Sequence, residues 1–246
     1  MEISYDEICR AEFDLLQSRI KHHFVNIDIG CPYGMAHVAT FHQATFAPLS
    51  DRAMELFLAA GYRRNGNCLY NMCCLGCVAC TPIRVHPEEF LLNRNQKRVL
   101  KTNKDVHIRM LPLCADNENI GLCEEFLRTR YPKEDNSASG YYRDFFLNNI
   151  VESIQLQFRI NGRLVGTSII DVGANWVNGV YFFFDPVESK RSLGTYNILH
   201  LIQMCQKLGI GYLYLGYFIQ DISAMSYKAN FNPHHLFIHK KWQKKN

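Results

Sequence analysis

The chain has 246 residues, 48% of them hydrophobic, and a formal net charge of +4. That is apolar enough to exclude a disordered chain, and long enough for one large domain or two small ones. No run approaches the ~18 apolar residues of a membrane-spanning helix, and Met1 to Asp14 is acidic rather than basic-then-apolar, so no signal peptide is read and a cytosolic protein is expected.

In chain order, residues 4–20 read as a helix, and 24–29 and 36–46 as strands rich in β-branched and aromatic side chains. Ser50 starts a short helix with Met54, Phe57 and Leu58 on its apolar face and Gly61 past its end. A strand over Tyr62–Tyr70, a cysteine-rich loop and a short strand Pro82–Val85 follow. A basic helix is predicted over 94–104, a strand near 106–111, and helices over 117–130 and 139–149, with a polar loop Tyr131–Ser137 between the last two. Three strands, 151–160, 163–172 and 175–184, are joined by the short turns Asn161-Gly162 and Gly173–Asn175, the first a strong hairpin signal. A helix over 192–208, capped by Ser192 and closed by Gly209, precedes a strand over 211–217, a helix over 222–229 and a strand near 235–239. The class is α/β (α+β), with a division expected near residue 115: residues 1–115 as a smaller α+β domain with the cysteine loop and basic helix, and 116–246 as the larger domain.

Basic residues crowd into Arg94–Lys104 and Lys240–Lys245. The reading is either a polyanion-binding face, with Arg94, Lys97, Arg98, Lys101 and Lys104 meeting phosphates, or a solvated helix face with a solubilising tail.

Antiparallel strands, a turn, a long helix and a further buried strand are the core order of Gcn5-type (GNAT-like) acyltransferases, whose turn holds a coenzyme pyrophosphate on backbone N–H groups at a helix N-terminus. Here the turn is Asp185–Gly194. Arg191 and Gly194 suit that role, whereas Tyr196 stands where a small residue lets backbone approach phosphate. The competing reading is an ordinary helix cap. Asp185 ends a buried aromatic strand, where a carboxylate must be solvated, paired or used.

Cys74-x2-Cys77-x2-Cys80 places three thiols within reach of one ion or cluster, with Cys31 as the fourth donor. Zinc or an iron–sulfur cluster is one reading. Small buried thiols are the other. The remaining cysteines, Cys73 apart, read as core; the ten histidines show no HExxH spacing, and His234-His235, at a strand start, are assigned no role.

Several blocks together resemble the aminoacyl-tRNA–protein transferases. Gly61–Tyr70, the cysteines, Thr81–Arg84 and Asn93–Arg98 resemble their N-terminal region. Tyr181–Pro186, Arg191–Tyr196, Tyr212–Tyr217, Met225–Ala229 and Phe231–Pro233 resemble their C-terminal blocks. Chain length, Arg191 before Ser-Leu-Gly and the cysteine order resemble the bacterial aspartate/glutamate leucyltransferases. Arg128–Asn136 departs from that type, and the pair Cys73-Cys74 is similar to the eukaryotic arginyltransferases. The resemblance implies transfer of leucine, or arginine, from aminoacyl-tRNA to an N-terminal Asp or Glu, marking proteins for degradation by the N-degron pathway. Ester-to-amide transfer is downhill, so no cofactor is required. Catalysis is positioning, proton removal and oxyanion stabilisation. Asp185 is the expected proton acceptor. Backbone N–H groups over Leu193–Thr195, with Ser192, Gly194 and the hydroxyls of Tyr181, Tyr214 or Tyr217, are expected around the oxyanion and leaving oxygen. Arg84, Arg191 and Lys228 are the expected cations for the acidic substrate, against the alternative of structural ion pairs. A monomer is expected. The rival readings are an acyl-CoA-dependent N-acyltransferase and a non-enzymatic metal or iron–sulfur RNA-binding protein.

Overall fold

The computed structural model describes residues 3–132 and 136–246; residues 133–135 of the expected loop Tyr131–Ser137 and of the stretch Arg128–Asn136, and the first two residues of the acidic N-terminus, lie outside it. The elements in order are α1 (Tyr5–Ile20), β1 (Val25–Gly30), β2 (Val38–Thr45), α2 (Asp51–Ala59), β3 (Arg63–Asn65), β4 (Cys68–Met72), β5 (Thr81–Val85), α3 (Arg94–Thr102), β6 (His107–Pro112), α4 (Asn117–Arg130) and α5 (Ala138–Tyr141). There follow β7 (Ser153–Ile160), β8 (Arg163–Val172), β9 (Trp176–Phe184), α6 (Leu193–Leu208), β10 (Tyr212–Phe218), α7 (Ser223–Ser226), β11 (His234–Ile238) and β12 (Lys241–Lys245).

The local chemistry explains most boundaries. Ser4 and Glu7 form a capping box at the start of α1, and Asn93 and Gln96 another at α3, each satisfying two orphan N–H donors. Ser50 accepts from Ala53 N at α2, and Gly61 takes φ +85 beyond its end. The single strand expected over Tyr62–Tyr70 is instead the hairpin β3–β4, turned at Gly66-Asn67. Ser192 differs too. It sits in left-handed backbone, φ 55, and offers α6 no side-chain cap. The helix expected over 139–149 stops early, giving way to a π turn over Tyr142–Phe146. The basic tail is ordered: His239 and Lys240 turn the chain at positive φ, and β12 pairs back on β11.

Contacts divide the chain into two compact units, residues 1–86, 149–151 and 214–246 in one and residues 87–148 and 152–213 in the other. The division departs from the expected boundary at 115 because β6 extends the strand meander, pairing from His107↔Arg159 to Pro112↔Ile154. The first unit holds the antiparallel sheet β1-β2-β4-β3 and the strands β12-β11-β5-β10, the last from Tyr214 on. The second holds the antiparallel run β9-β8-β7-β6 with α3, α4 and α6. Its core joins Cys123, Phe126 and Leu127 of α4 to Ile169, Phe183 and the Tyr142/Phe146 pair. Meander, turn, long helix and strand follow one another in the order expected of an acyltransferase. Among the described residues, no helix is long and apolar enough to cross a membrane.

Candidate functional site

In the second unit, Asp185 closes β9 and starts a 3-10 turn over Pro186–Arg191. Its Oδ1 accepts from Val187 N at 2.9 Å and its Oδ2 from Arg163. Arg163 also reaches Glu188, Glu188 accepts from Arg191 Nε at 2.8 Å, and Arg191 grips Asp105 with Nη1 and Nη2. Five charges thus alternate along one chain. Arg191 further donates to Thr102 O, and Asn103 Nδ2 donates to Arg191 O at 2.9 Å, so the end of basic α3 is tied to the turn. Arg94, Lys97, Arg98, Lys101 and Lys104 are all exposed. With Ser192 not capping, the first-turn N–H groups over Leu193–Thr195 are left to another partner. Tyr196 lays its ring edge-on against Phe158, 5.9 Å between centroids, which accounts for a large residue in that position. Tyr181 lies among Phe146, Tyr141 and Phe126 at 5.1–6.4 Å, in the aromatic core.

In the first unit, Arg84 is 1% exposed. It donates to Asp6 Oδ2 at 2.6 Å and lies over the Trp242 ring at 4.3 Å, with Tyr214 beside it at 6.0 Å. This is a structural ion pair capped by an aromatic from β12, and it occupies both Arg84 and Tyr214.

Lys228 is placed differently. The residue is half-buried, while its ammonium lies deep and donates to Tyr217 O at 2.9 Å. Met225 Sδ, at 3.6 Å, is its other partner, and no carboxylate pairs with it among the described residues. Arg63, 7% exposed, comes alongside. A Cβ on Gly216 would meet Arg63 Nη2 at 3.0 Å and Lys228 Nζ at 3.5 Å, and Gly216 holds φ +87. A glycine is therefore what lets two cationic heads share this space. Loss of hydration, then the charge of Arg63, draws the Lys228 ammonium down to about 7. Tyr217 is 3% exposed and its hydroxyl has no partner among the described residues. Burial pushes its phenol well above the ordinary value, so it stays a donor. Tyr70 completes the wall, its ring 6.4 Å from that of Tyr217 and its residue paired across the hairpin with Arg63. Two cations and a buried hydroxyl donor are thus gathered around Arg63, a set of groups suited to a small carboxylate. Of the residues expected from sequence, Lys228 and Tyr217 meet here. Arg63 and Gly216 were not expected, though Gly61-Tyr-Arg-Arg and Tyr-Leu-Gly-Tyr carried the signal.

The four expected cysteine donors converge without closing. Burial first, then the neighbouring Cys74, Cys31 and Cys77, push the Cys80 thiol up to about 12. Their sulfurs are not among the described ligand atoms lying within 4.8 Å of one another. A tetrahedral thiolate centre needs closer donors than that. As arranged, the set does not fit a metal, and no step of a reaction is routed through it.

Residues 30–98 match the model of the arginine-tRNA-protein transferase N terminus and residues 118–238 that of its C terminus. A relative from Thiobacillus denitrificans, aspartate/glutamate leucyltransferase, is 34% identical over 89% of this chain and 93% of its own length. The chain belongs to this aminoacyl-tRNA–protein transferase family. Aspartate/glutamate leucyltransferases of Methylobacillus flagellatus, 35% identical over 84% of this chain and 82% of the relative, and of Chromohalobacter salexigens, 35% over 90% and 92%, agree. Like them it is an aminoacyltransferase of the bacterial type. Among solved structures, the C-terminal domain of a putative lysylphosphatidylglycerol synthetase from Agrobacterium fabrum superimposes with a TM-score of 0.46 at 10% identity, covering 87% of this chain and 78% of that one.

Proposed function

We propose that this protein transfers leucine from aminoacyl-tRNA to the N-terminal Asp or Glu of acceptor proteins, working as a cytosolic monomer and marking its products for degradation. The observation that carries the reading is the pocket of Lys228, Arg63 and the unpartnered Tyr217 hydroxyl. A carboxylate side chain entering it would pair with the Lys228 ammonium beside Arg63 and satisfy a buried donor. An acidic side chain is bound there, and a basic one is repelled.

On the donor side, the uncapped start of α6 offers the N–H groups over Leu193–Thr195 to the aminoacyl ester, and the exposed bases of α3 meet tRNA phosphates. Arg191 acts by fixing α3 to the turn. With both oxygens of Asp185 engaged, its role is to hold that turn rather than to take the proton. A zinc or iron–sulfur centre at Cys31, Cys74, Cys77 and Cys80 requires those sulfurs to close in, and metal analysis after anaerobic purification checks it.

The deciding assay offers Leu-tRNA and Arg-tRNA separately, with peptides beginning Asp, Glu, Lys or Arg. Leucine on the Asp and Glu peptides is the expected product. Transfer to no peptide from either tRNA overturns the reading, and transfer from Arg-tRNA alone overturns the choice of leucine.

A further inference from the structure

β1 is an edge strand. Among the described residues it pairs with β2 alone, from Val25↔Gln43 to Gly30↔Val38 without a bulge, and all six of its residues are exposed. Every second residue of such a strand turns its N–H and C=O away from its partner. Natural edges are normally blunted by lysine, proline, bulges or shortness. β1 has none of these. Instead it exposes Val25, Ile27 and Ile29, at 56%, 42% and 46%, while Asn26 and Asp28 on its other face bond to His42 and Thr40.

The edge also leads to the carboxylate pocket. Three residues beyond Gly30 stands Tyr33, whose hydroxyl lies within electrostatic range of Arg63 and Tyr70. On the apolar face, Ile27 is paired with Phe41. The Phe41 ring lies 5.1 Å from Tyr70, and Tyr70 lies 6.4 Å from Tyr217. An apolar track therefore runs from the pocket wall onto β1.

We infer that the free edge of β1 receives the stretch of acceptor polypeptide that follows its N-terminal residue, as a further antiparallel strand. The inference rests on the acceptor reading of the Lys228–Arg63 pocket. An acceptor must bring a free N-terminus into the pocket, so its first residues are drawn out of its fold as extended chain. With the first side chain in the pocket, the peptide leaves along β1 from Gly30 towards Val25, which makes it antiparallel. Six residues at ~3.3 Å each give about 20 Å of pairing. Main-chain hydrogen bonds are indifferent to side-chain identity, which suits an enzyme that selects by first residue and accepts varied sequences beyond it.

The test is binding of fluorescent peptides to the full chain, read by anisotropy. For peptides beginning Asp, Kd is expected to fall about tenfold as length grows from three to eight residues, then level off. N-methylation of alternate peptide amides is expected to undo that gain, while methylation of the intervening amides leaves it intact. A Kd independent of length and of N-methylation overturns the strand addition. Peptides beginning Lys that bind as tightly as those beginning Asp overturn the pocket reading, and the length dependence then reports on the strand alone. Because the changes are made in the peptide, no variant need fold.

Discussion

Arg191 holds Asp105 with both terminal nitrogens, Nη1 to Oδ1 at 2.8 Å and Nη2 to Oδ2 at 2.9 Å. The Arg191 side chain is 23% exposed and that of Asp105 50%, and the meaning of the pair is positional: it joins the end of basic α3 to the turn that opens α6. Arg191→Gln removes a bidentate contact and the link to Glu188, at a cost of about 1–2 kcal/mol in stability, since exposed pairs contribute little. The larger expected effect is a rise in KM for aminoacyl-tRNA with the KM for acceptor peptide unchanged. Equal change in both constants speaks against a role in positioning the tRNA helix.

The basic face of α3 is expected to set the salt dependence of the reaction. Each phosphate contact contributes about 0.7–0.9 to the slope of log affinity against log salt. Lys97→Gln with Lys101→Gln should therefore flatten that slope by about 1.5, measured as KM for aminoacyl-tRNA from low to high salt. An unchanged slope assigns these lysines to a merely solvated face.

Gly216→Ala should act on the acceptor and not on the tRNA. The added Cβ meets Arg63 Nη2 at 3.0 Å and Lys228 Nζ at 3.5 Å, in backbone at φ +87 that L side chains rarely adopt. Displacing either cation is expected to raise KM for Asp peptides at least tenfold. Stability is expected to fall by about 1–2 kcal/mol, read by chemical unfolding. Arg63→Gln, which leaves the backbone alone, should reproduce the KM effect. A variant pair with wild-type acceptor KM removes these residues from substrate recognition.

What was legible in the sequence follows from how local the signals are. Caps at Ser4, Ser50 and Asn93, and the Asn161-Gly162 turn, are written within a few residues, and those elements formed where expected. The turn Gly66-Asn67 is equally local, but it lies within a stretch whose flanks both read as strand, so one continuous strand was the expectation. The compact units were not legible, because β6 joins the meander through a pairing that spans about fifty residues of sequence. Single residues divided in the same way. Arg84 and Lys228 look alike as isolated cations, but Asp6, 78 residues upstream, neutralises Arg84, while Gly216 seats Arg63 beside Lys228. Neither partnership has a sequence spacing to betray it.

Arg84 supplies the contrast that separates structure from selection. It is buried against Trp242 and paired with Asp6, whose side chain is 36% exposed and rehydrates when the arginine is removed. Arg84→Met keeps the stem and loses the charge, so a cost of about 2–3 kcal/mol is expected, below that of breaking a fully buried pair. The Tm should drop while the preference for Asp over Lys peptides persists. Loss of that preference with an unchanged Tm places Arg84 in the acceptor pocket instead.

The Lys228 ammonium, drawn down to about 7 from an ordinary value of 10.5, makes two pH predictions of fixed sign. Between about 7 and 10.5 the unfolded chain holds a proton on this lysine that the folded chain has released. Stability from this group therefore rises with pH across that window and is lowest below it, where the folded state carries the buried charge. Lys228→Met should remove that rise and stabilise the protein near neutral pH, read as Tm against pH. Acceptor binding runs the other way. A carboxylate in the pocket favours the charged lysine, so the KM for Asp peptides should increase as pH climbs past about 7, and the variant should bind them weakly at every pH. An Asp-peptide KM that is flat with pH in the wild type, with the Tm effect intact, leaves Lys228 buried and titrating but outside the acceptor site.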